Sequence, residues 1–205
     1  DKKFLISIGT IIILFLSYFS VPTFYDKASV KIKLKNEILK KYNLEVKFNG
    51  PLRYSLFPRP HYFINDLNII DKEESLAKSD STRIYISINN FFSFKDLHIK
   101  NLKFKKTEFS INSNNFGFFK KILDSRKNDH NDIDFNDSSL FFKDQNNDVI
   151  FIINIKSLNF LYNDKFEQEL NTSLSIFNVP FKIKITNNVD KKNSFIDIDS
   201  NKLRL

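Results

Sequence analysis

The sequence predicts a mainly β protein: an N-terminal transmembrane helix, one amphipathic helix, then a long, strongly curved antiparallel sheet forming a β-groove. Three observations carry this expectation. A 22-residue apolar run, Phe4 to Tyr25, opens the chain. One segment with helical spacing follows it. From Leu44 onward, apolar and polar residues alternate in segment after segment, the period of a half-buried strand.

At about 1.5 Å per residue the apolar run is long enough to cross a hydrocarbon core of about 30 Å. Lys2 and Lys3 precede it, and no small-x-small cleavage site follows in Ser20-Val21-Pro22-Thr23-Phe24-Tyr25. An uncleaved anchor over residues 1–25 is therefore expected rather than a removed signal. Tyr18, Phe19, Phe24 and Tyr25 stand where an interfacial aromatic belt would lie. The leading lysines favour a cytoplasmic N-terminus, although Lys27, Lys31, Lys33 and Lys35 follow on the far side. A tiny stub and a large body place the body, residues 26–205, outside the cytoplasm. The absence of an initial Met allows a longer basic stub.

Over Lys27–Tyr42, Val30, Leu34 and Ile38 recur every four residues and are joined by Leu39 and Tyr42. Lys31, Lys35, Lys40 and Lys41 lie off that stripe, so the segment reads as an amphipathic helix packed on the first strands. Asn43 suits the left-handed residue that ends a helix. A strand at 44–48 then meets a turn at Asn49-Gly50-Pro51. Strands are expected at 53–57, 62–70, 84–88, 97–99, 102–104, 109–111, 140–143 and 149–160, and in the alternating stretches up to Ile198. The phase shift between Ile99 and Leu102 implies a bulge. Residues 115–123 read as a helical turn or two. Asp124 to Asp137 is charged and amide-rich and reads as a flexible loop. Alternation is still running near Leu205, so the sheet is expected to continue past it.

Nearly every strand offers one apolar and one polar face, as a half-buried antiparallel sheet does. One short helix is too little to cover the apolar side. A barrel, a sandwich or a curl around something that is not protein remain. A strand such as 149–160 runs to about 40 Å at about 3.4 Å per residue, long for a compact sandwich. A curved sheet with an apolar trough fits better.

Composition narrows the setting. The chain has no Cys, so it forms no disulfide and no thiolate metal site; it also has no Met or Trp. Its 24 Phe and 3 Gly reflect codon bias rather than function. The net charge of +8 is spread along the strands and suits a body beside anionic head groups. Solvated lysines on the sheet's outer face are the simplest account of it. Nucleic acid is not an expected partner of an exported body.

The stretch LEVKFNGPLRYSLFPRPHYFINDLNI, after an amphipathic helix and an anchor, resembles the start of AsmA-family proteins. In that family a strand, a glycine turn and a Ser-Leu-Phe-Pro-type segment come in this order; here they include Gly50 and Ser55-Leu56-Phe57-Pro58. FFSFKDLHIKNLKFKKTEFSI, Phe91 to Ile111, is similar to the family's next recurring piece. The match covers about the first half of the chain; the second half agrees only in its alternation. Asn43 stands where the family often has Gly, and the family's later strands are absent. The resemblance implies a bacterial inner-membrane protein with a periplasmic body, associated with outer-membrane biogenesis. It further implies a β-groove that shields phospholipid or other envelope lipid, with outer-membrane assembly proteins as possible partners.

No Gly-rich phosphate loop, metalloprotease helix or nucleophile elbow occurs, and neither an enzyme nor a cofactor is expected. His61, His98 and His130 are scattered, with His98 expected to face water. Asp129, Asp132, Asp134 and Asp137 lack the spacing, glycine and closing glutamate of a calcium loop. Asn136-Asp137-Ser138 and Asn171-Thr172-Ser173 are glycosylation triplets of the kind chance supplies in an Asn-rich chain. Lipid contact is expected at alternating apolar residues of the longer strands: Ile84, Ile86 and Ile88; Phe151, Ile153 and Ile155; Leu174 and Ile176; Ile183 and Ile185. Simple packing of these residues on one another is the competing account. A tethered scaffold recruiting assembly factors through a free sheet edge is the second functional expectation. A sugar-binding or enzymatic β-domain is a weaker third.

Overall fold

The apolar run forms α1 (Lys2–Ser20) and a short 3₁₀ turn, Val21–Phe24. Most of its side chains up to Ser17 stand uncovered, with Ile11 and Ile13 both 66% exposed, while Tyr18 and Phe19 pack against the core and Pro22 is buried. Lys2–Phe24 is long and apolar enough for a single membrane span or a signal sequence. The computed structural model describes residues 2–72, 74–87, 90, 97–118, 132–162, 167–188 and 193–202, without the side chains of Leu5, Tyr162 and Glu167.

α2 (Lys27–Tyr42) has the expected bounds. The Asp26 carboxylate accepts from the Ser29 N–H at 2.8 Å and caps its start. Asn43, at φ 54°, closes its end, donating its N–H to the Leu39 carbonyl at 3.0 Å. The stripe Val30, Leu34, Ile38 and Tyr42 is buried against the sheet. Each such side chain contributes roughly 1.5–3 kcal/mol.

The strands are β1 (Glu45–Phe48), β2 (Leu52–Ser55), β3 (His61–Asp71), β4 (Glu74–Ile86), β5 (Ile99–Ile111), β6 (Asp132–Lys143), β7 (Val149–Tyr162), β8 (Glu167–Ile176), β9 (Val179–Asn188) and β10 (Asn193–Asp199). They form one ten-stranded sheet in the order β1-β3-β4-β5-β6-β7-β8-β9-β10, with β2 also paired to β3. It is not closed into a barrel.

Three expectations are corrected. The sheet is mixed, because β5 and β6 run parallel. Residues 132–137 are strand rather than loop. Ile133 and Phe135 alternate inward while Asp134 meets Lys103 at 2.9 Å and Asp137 meets Lys105 at 3.9 Å, so the charges belong to the outer face. β4 starts at Glu74, well ahead of Ile84, because Leu76, Ala77 and Ser79 already face inward and are buried. The shift expected between Ile99 and Leu102 is present: Tyr85 pairs Asn101 and Ile86 pairs Ile99, leaving Lys100 as the extra residue. Of the expected helical turn at 115–123, residues 116–118 are helical, and 119–123 lie outside the described residues, as do 124–131 of the expected loop.

A seam crosses the strands. Asp66, Asp80, Lys106, Asp137 and Lys156 lie opposite one another in β3 to β7, and none takes a ladder partner although the pairs on either side keep register. In each strand the inward alternation slips by one residue there, as from Ile64 to Leu67 in β3 and from Phe104 to Thr107 in β5. Asp66, Lys106 and Asp137 take positive φ of 54°, 51° and 50°. The slip ends at β8, where Lys156 becomes a plain bulge. Buried hydroxyls take up backbone groups along the seam. Ser79 donates to the Ser81 and Lys105 carbonyls at 3.2 and 3.3 Å. Ser138 accepts from the Thr107 N–H at 3.1 Å and donates to the Asn136 carbonyl at 3.0 Å. Gly50 rests on the seam: its N–H donates to the Asp66 carbonyl at 3.3 Å, and a Cβ there would lie 2.0 Å from the Asn65 oxygen. Close approach, not positive φ, demands this glycine.

Lys106 carries left-handed backbone without the local hydrogen bonding that Asn or Asp brings. Lys106→Gly should therefore unfold in denaturant no earlier than the parent, whereas Lys106→Val should lose about 1–2 kcal/mol. A valine variant of parental stability would contradict the seam geometry.

Candidate functional site

Directly opposed residues in neighbouring strands point to the same face, so the register maps the inner face. One row reads Tyr54, Tyr62, Ile84, Leu102, Ile133, Phe160, Leu170, Ile185, Ile196, from β2 to β10. At about 4.8 Å per strand it extends about 38 Å. Beyond the seam, Ala77, Phe109, Leu140, Ile153, Ile176 and Val179 form another row on the same side. The seam makes this possible, because a strand that kept strict alternation would turn its far half outward.

Cover is unequal along this face. Under α2, Ile84 and Leu102 are fully buried and Tyr62 is 3% exposed. Past β6, Phe160, Leu170 and Ile185 are only half-buried, and Ile196 is 63% exposed. Where α2 ends, at Leu44, an apolar cavity of about 290 Å³ opens. Its walls include Ile69 of β3, Phe109 of β5, Phe135 of β6, Ile155 and Leu158 of β7, and Leu170 of β8. In a flat sheet β3 and β8 would stand about 24 Å apart, so a cavity touching both requires the sheet to curl around it. Phe135 stacks on Phe104 at 4.7 Å and meets Phe109 edge-on at 5.0 Å, forming the floor where the covered core gives way to the open trough.

The candidate lipid residues fall on this one face, with different surroundings. Ile84 and Ile86 belong to the packed core that α2 covers, and their neighbours there are the protein's own side chains. Ile88 lies outside the described residues. Ile155 is buried and lines the cavity. Phe151 stacks on Phe142 at 5.0 Å. Phe151, Ile153, Leu174, Ile176, Ile183 and Ile185 are half-buried on the open part. Sequence reasoning missed half-buried wall residues of this cavity: Phe135, Leu140, Leu158, Phe160 and Leu170. Leu158 and Phe160 follow Ile155 at a spacing of three and then two, a slip visible in the sequence itself.

The outer face is mostly polar, although Ile152 opposes Phe141 on it and is 42% exposed. Lys184 pairs with Glu169 at 3.1 Å, and with Asn171 it holds that carboxyl below its usual range. His98 is exposed, 3.9 Å from Glu37. His61 is buried beside Tyr85, and burial lowers its imidazole pKa. His130 and Asp129 lie outside the described residues. Among the described residues no group of three His, Cys, Asp or Glu side chains is placed to hold a metal ion.

No family model matches the chain, and no curated protein matches it. Its inner face is a long apolar surface, covered by α2 at one end and, among the described residues, only half-buried at the other until it reaches the exposed β10.

That inequality predicts unequal mutational costs. Leu102→Ala, beneath α2, should cost about 2–5 kcal/mol. Leu158→Ala, on the open trough, should cost less than half as much in detergent unfolding. Equal costs would mean that the trough is packed as tightly as the covered core.

Proposed function

We propose that this chain is a membrane-tethered groove for lipid acyl chains, of the kind its first half's resemblance to AsmA proteins implies. In this reading α1 spans the bacterial inner membrane with its N-terminus in the cytoplasm. The body stands in the periplasm and serves outer-membrane biogenesis. The observation that carries the reading is the apolar row that runs unbroken from beneath α2 to β10 and loses its cover after β6.

The open stretch from β6 to β10 is about 19 Å long at 4.8 Å per strand. One leaflet of a hydrocarbon core is about 15 Å deep, so an acyl chain fits along it. Apolar walls hold such a chain at about 0.8 kcal/mol per buried CH₂, close to what bilayer interior offers. Lipid can then slide without a deep trap, and the groove needs no catalyst or cofactor. Head groups would remain at the wet rim.

A second reading keeps a foothold in β10. All seven of its residues are exposed, and Phe195 and Ile196 are 68% and 63% exposed on opposite faces. Such an edge could recruit an assembly protein by strand addition.

Ile153→Asp combined with Ile183→Asp separates the two. Both residues are half-buried on the open face, so the variant should keep its fold by circular dichroism while losing the phospholipid that the parent is expected to carry through purification. Wholesale unfolding would instead mark these positions as ordinary core, and unchanged lipid content would remove the groove reading.

A further inference from the structure

The β2–β3 loop, residues 56–60, bears an exposed phenylalanine and arginine with no role in the groove. Phe57 is 75% exposed and Arg59 is exposed beside it. The position of this loop relative to α1 follows from its neighbours. Leu52 and Arg53 share a small cavity with Tyr25, Lys27 and Val30, at the start of α2. Two residues on, the Tyr54 hydroxyl donates to the Phe19 carbonyl at 2.7 Å, inside the apolar helix. β2 therefore runs back down the chain, from the level of α2 toward α1. Phe19 lies roughly 9 Å below Phe24, at about 1.5 Å per residue in α1 and about 2.0 Å in the 3₁₀ turn. Phe57 follows Tyr54 by three residues, a reach of up to about 10 Å in the same direction.

The loop is held in shape. The Ser55 hydroxyl donates to the Phe57 carbonyl at 3.3 Å, and the His61 ring nitrogen Nδ1 donates to the Arg59 carbonyl at 2.7 Å. The Arg59 guanidinium lies 5.2 Å from the Tyr85 ring centroid. It borders a cleft shared with Phe19, Pro60 and Lys100. No carboxylate pairs with Arg59 among the described residues.

We propose that this loop is a second membrane contact: Phe57 enters the bilayer interface beside α1, and Arg59 meets lipid phosphate at the head-group level. The proposal rests on α1 spanning the membrane. An aromatic ring at the acyl boundary with an arginine at the phosphates is the arrangement interfaces favour. A second foothold would fix the tilt of the sheet over the membrane, which a single helix leaves free to swing.

The chain lacks Trp, so single tryptophans report cleanly. Phe57→Trp, Phe15→Trp in α1 and Phe177→Trp in the β8–β9 turn, where the parent ring is 80% exposed, would each be reconstituted in full-length protein. The vesicles would be phosphatidylcholine–phosphatidylglycerol with brominated acyl chains. Phe57→Trp should emit at shorter wavelength than Phe177→Trp and lose most of its intensity to bromines near the head groups, while Phe177→Trp keeps its intensity. Adding Arg59→Glu should weaken quenching at position 57; undiminished quenching would overturn the role of Arg59. If Phe15→Trp is quenched and Phe57→Trp is not, the loop contact is wrong while the membrane span stands. If Phe15→Trp is not quenched either, the span fails and the loop contact falls with it.

Discussion

Backbone hydrogen bonding along the seam is the constraint on which the rest of the architecture depends. A strand bearing alternating side chains can keep a single apolar face only while its pleat is regular. Where it kinks, its peptide groups lose ladder partners and its far half turns over. Here five neighbouring strands kink at one line, so every far half turns over together and the apolar face stays continuous. The price is a set of unpaired peptide groups, met by small hydroxyl residues whose burial would otherwise be unfavourable. Ser79, fully buried, and Ser138, 3% exposed, do this. Asp66, Lys106 and Asp137 absorb the positive φ.

The continuous face bears on the proposed function. Residues from β3 to β8 line one apolar cavity, and α2 packs over only one end of the apolar face. The helix pins β1 to β5 into a conventional core, with Leu34 and Ile38 fully buried. β6 to β10 have no such partner among the described residues. The same sheet is thus part core and part open surface, and the boundary falls near the stacked Phe104 and Phe135. The proposed lipid groove is the open part, and the proposed loop contact would orient it over the bilayer.

Much of this was legible in the residues. The four-residue spacing of Val30, Leu34 and Ile38, closed by Asn43, defined α2 because a helix is specified locally. The single apolar face was legible too, since alternation records it directly. The start of β6 was not: Asp132 and Asp134 look like loop residues until β5 supplies Lys103 as a partner, and pairing between distant segments leaves no local mark. The parallel β5–β6 pair was hidden for the same reason. The seam does have a signature, the polar doublets Asn65-Asp66, Asp80-Ser81, Lys105-Lys106, Asn136-Asp137 and Lys156-Ser157. Only the register shows that they align. Ile84 and Ile183 are indistinguishable by pattern; the path of α2 is what makes the first core and leaves the second open.

Photo-crosslinking in intact envelopes tests the central claim most directly. A photoreactive residue at Ile183 faces the open trough, and one at Lys184 faces outward beside Glu169. The account predicts lipid adducts at 183 and none at 184. Protein adducts alone at 183, or lipid at both positions alike, would contradict a lipid-filled groove.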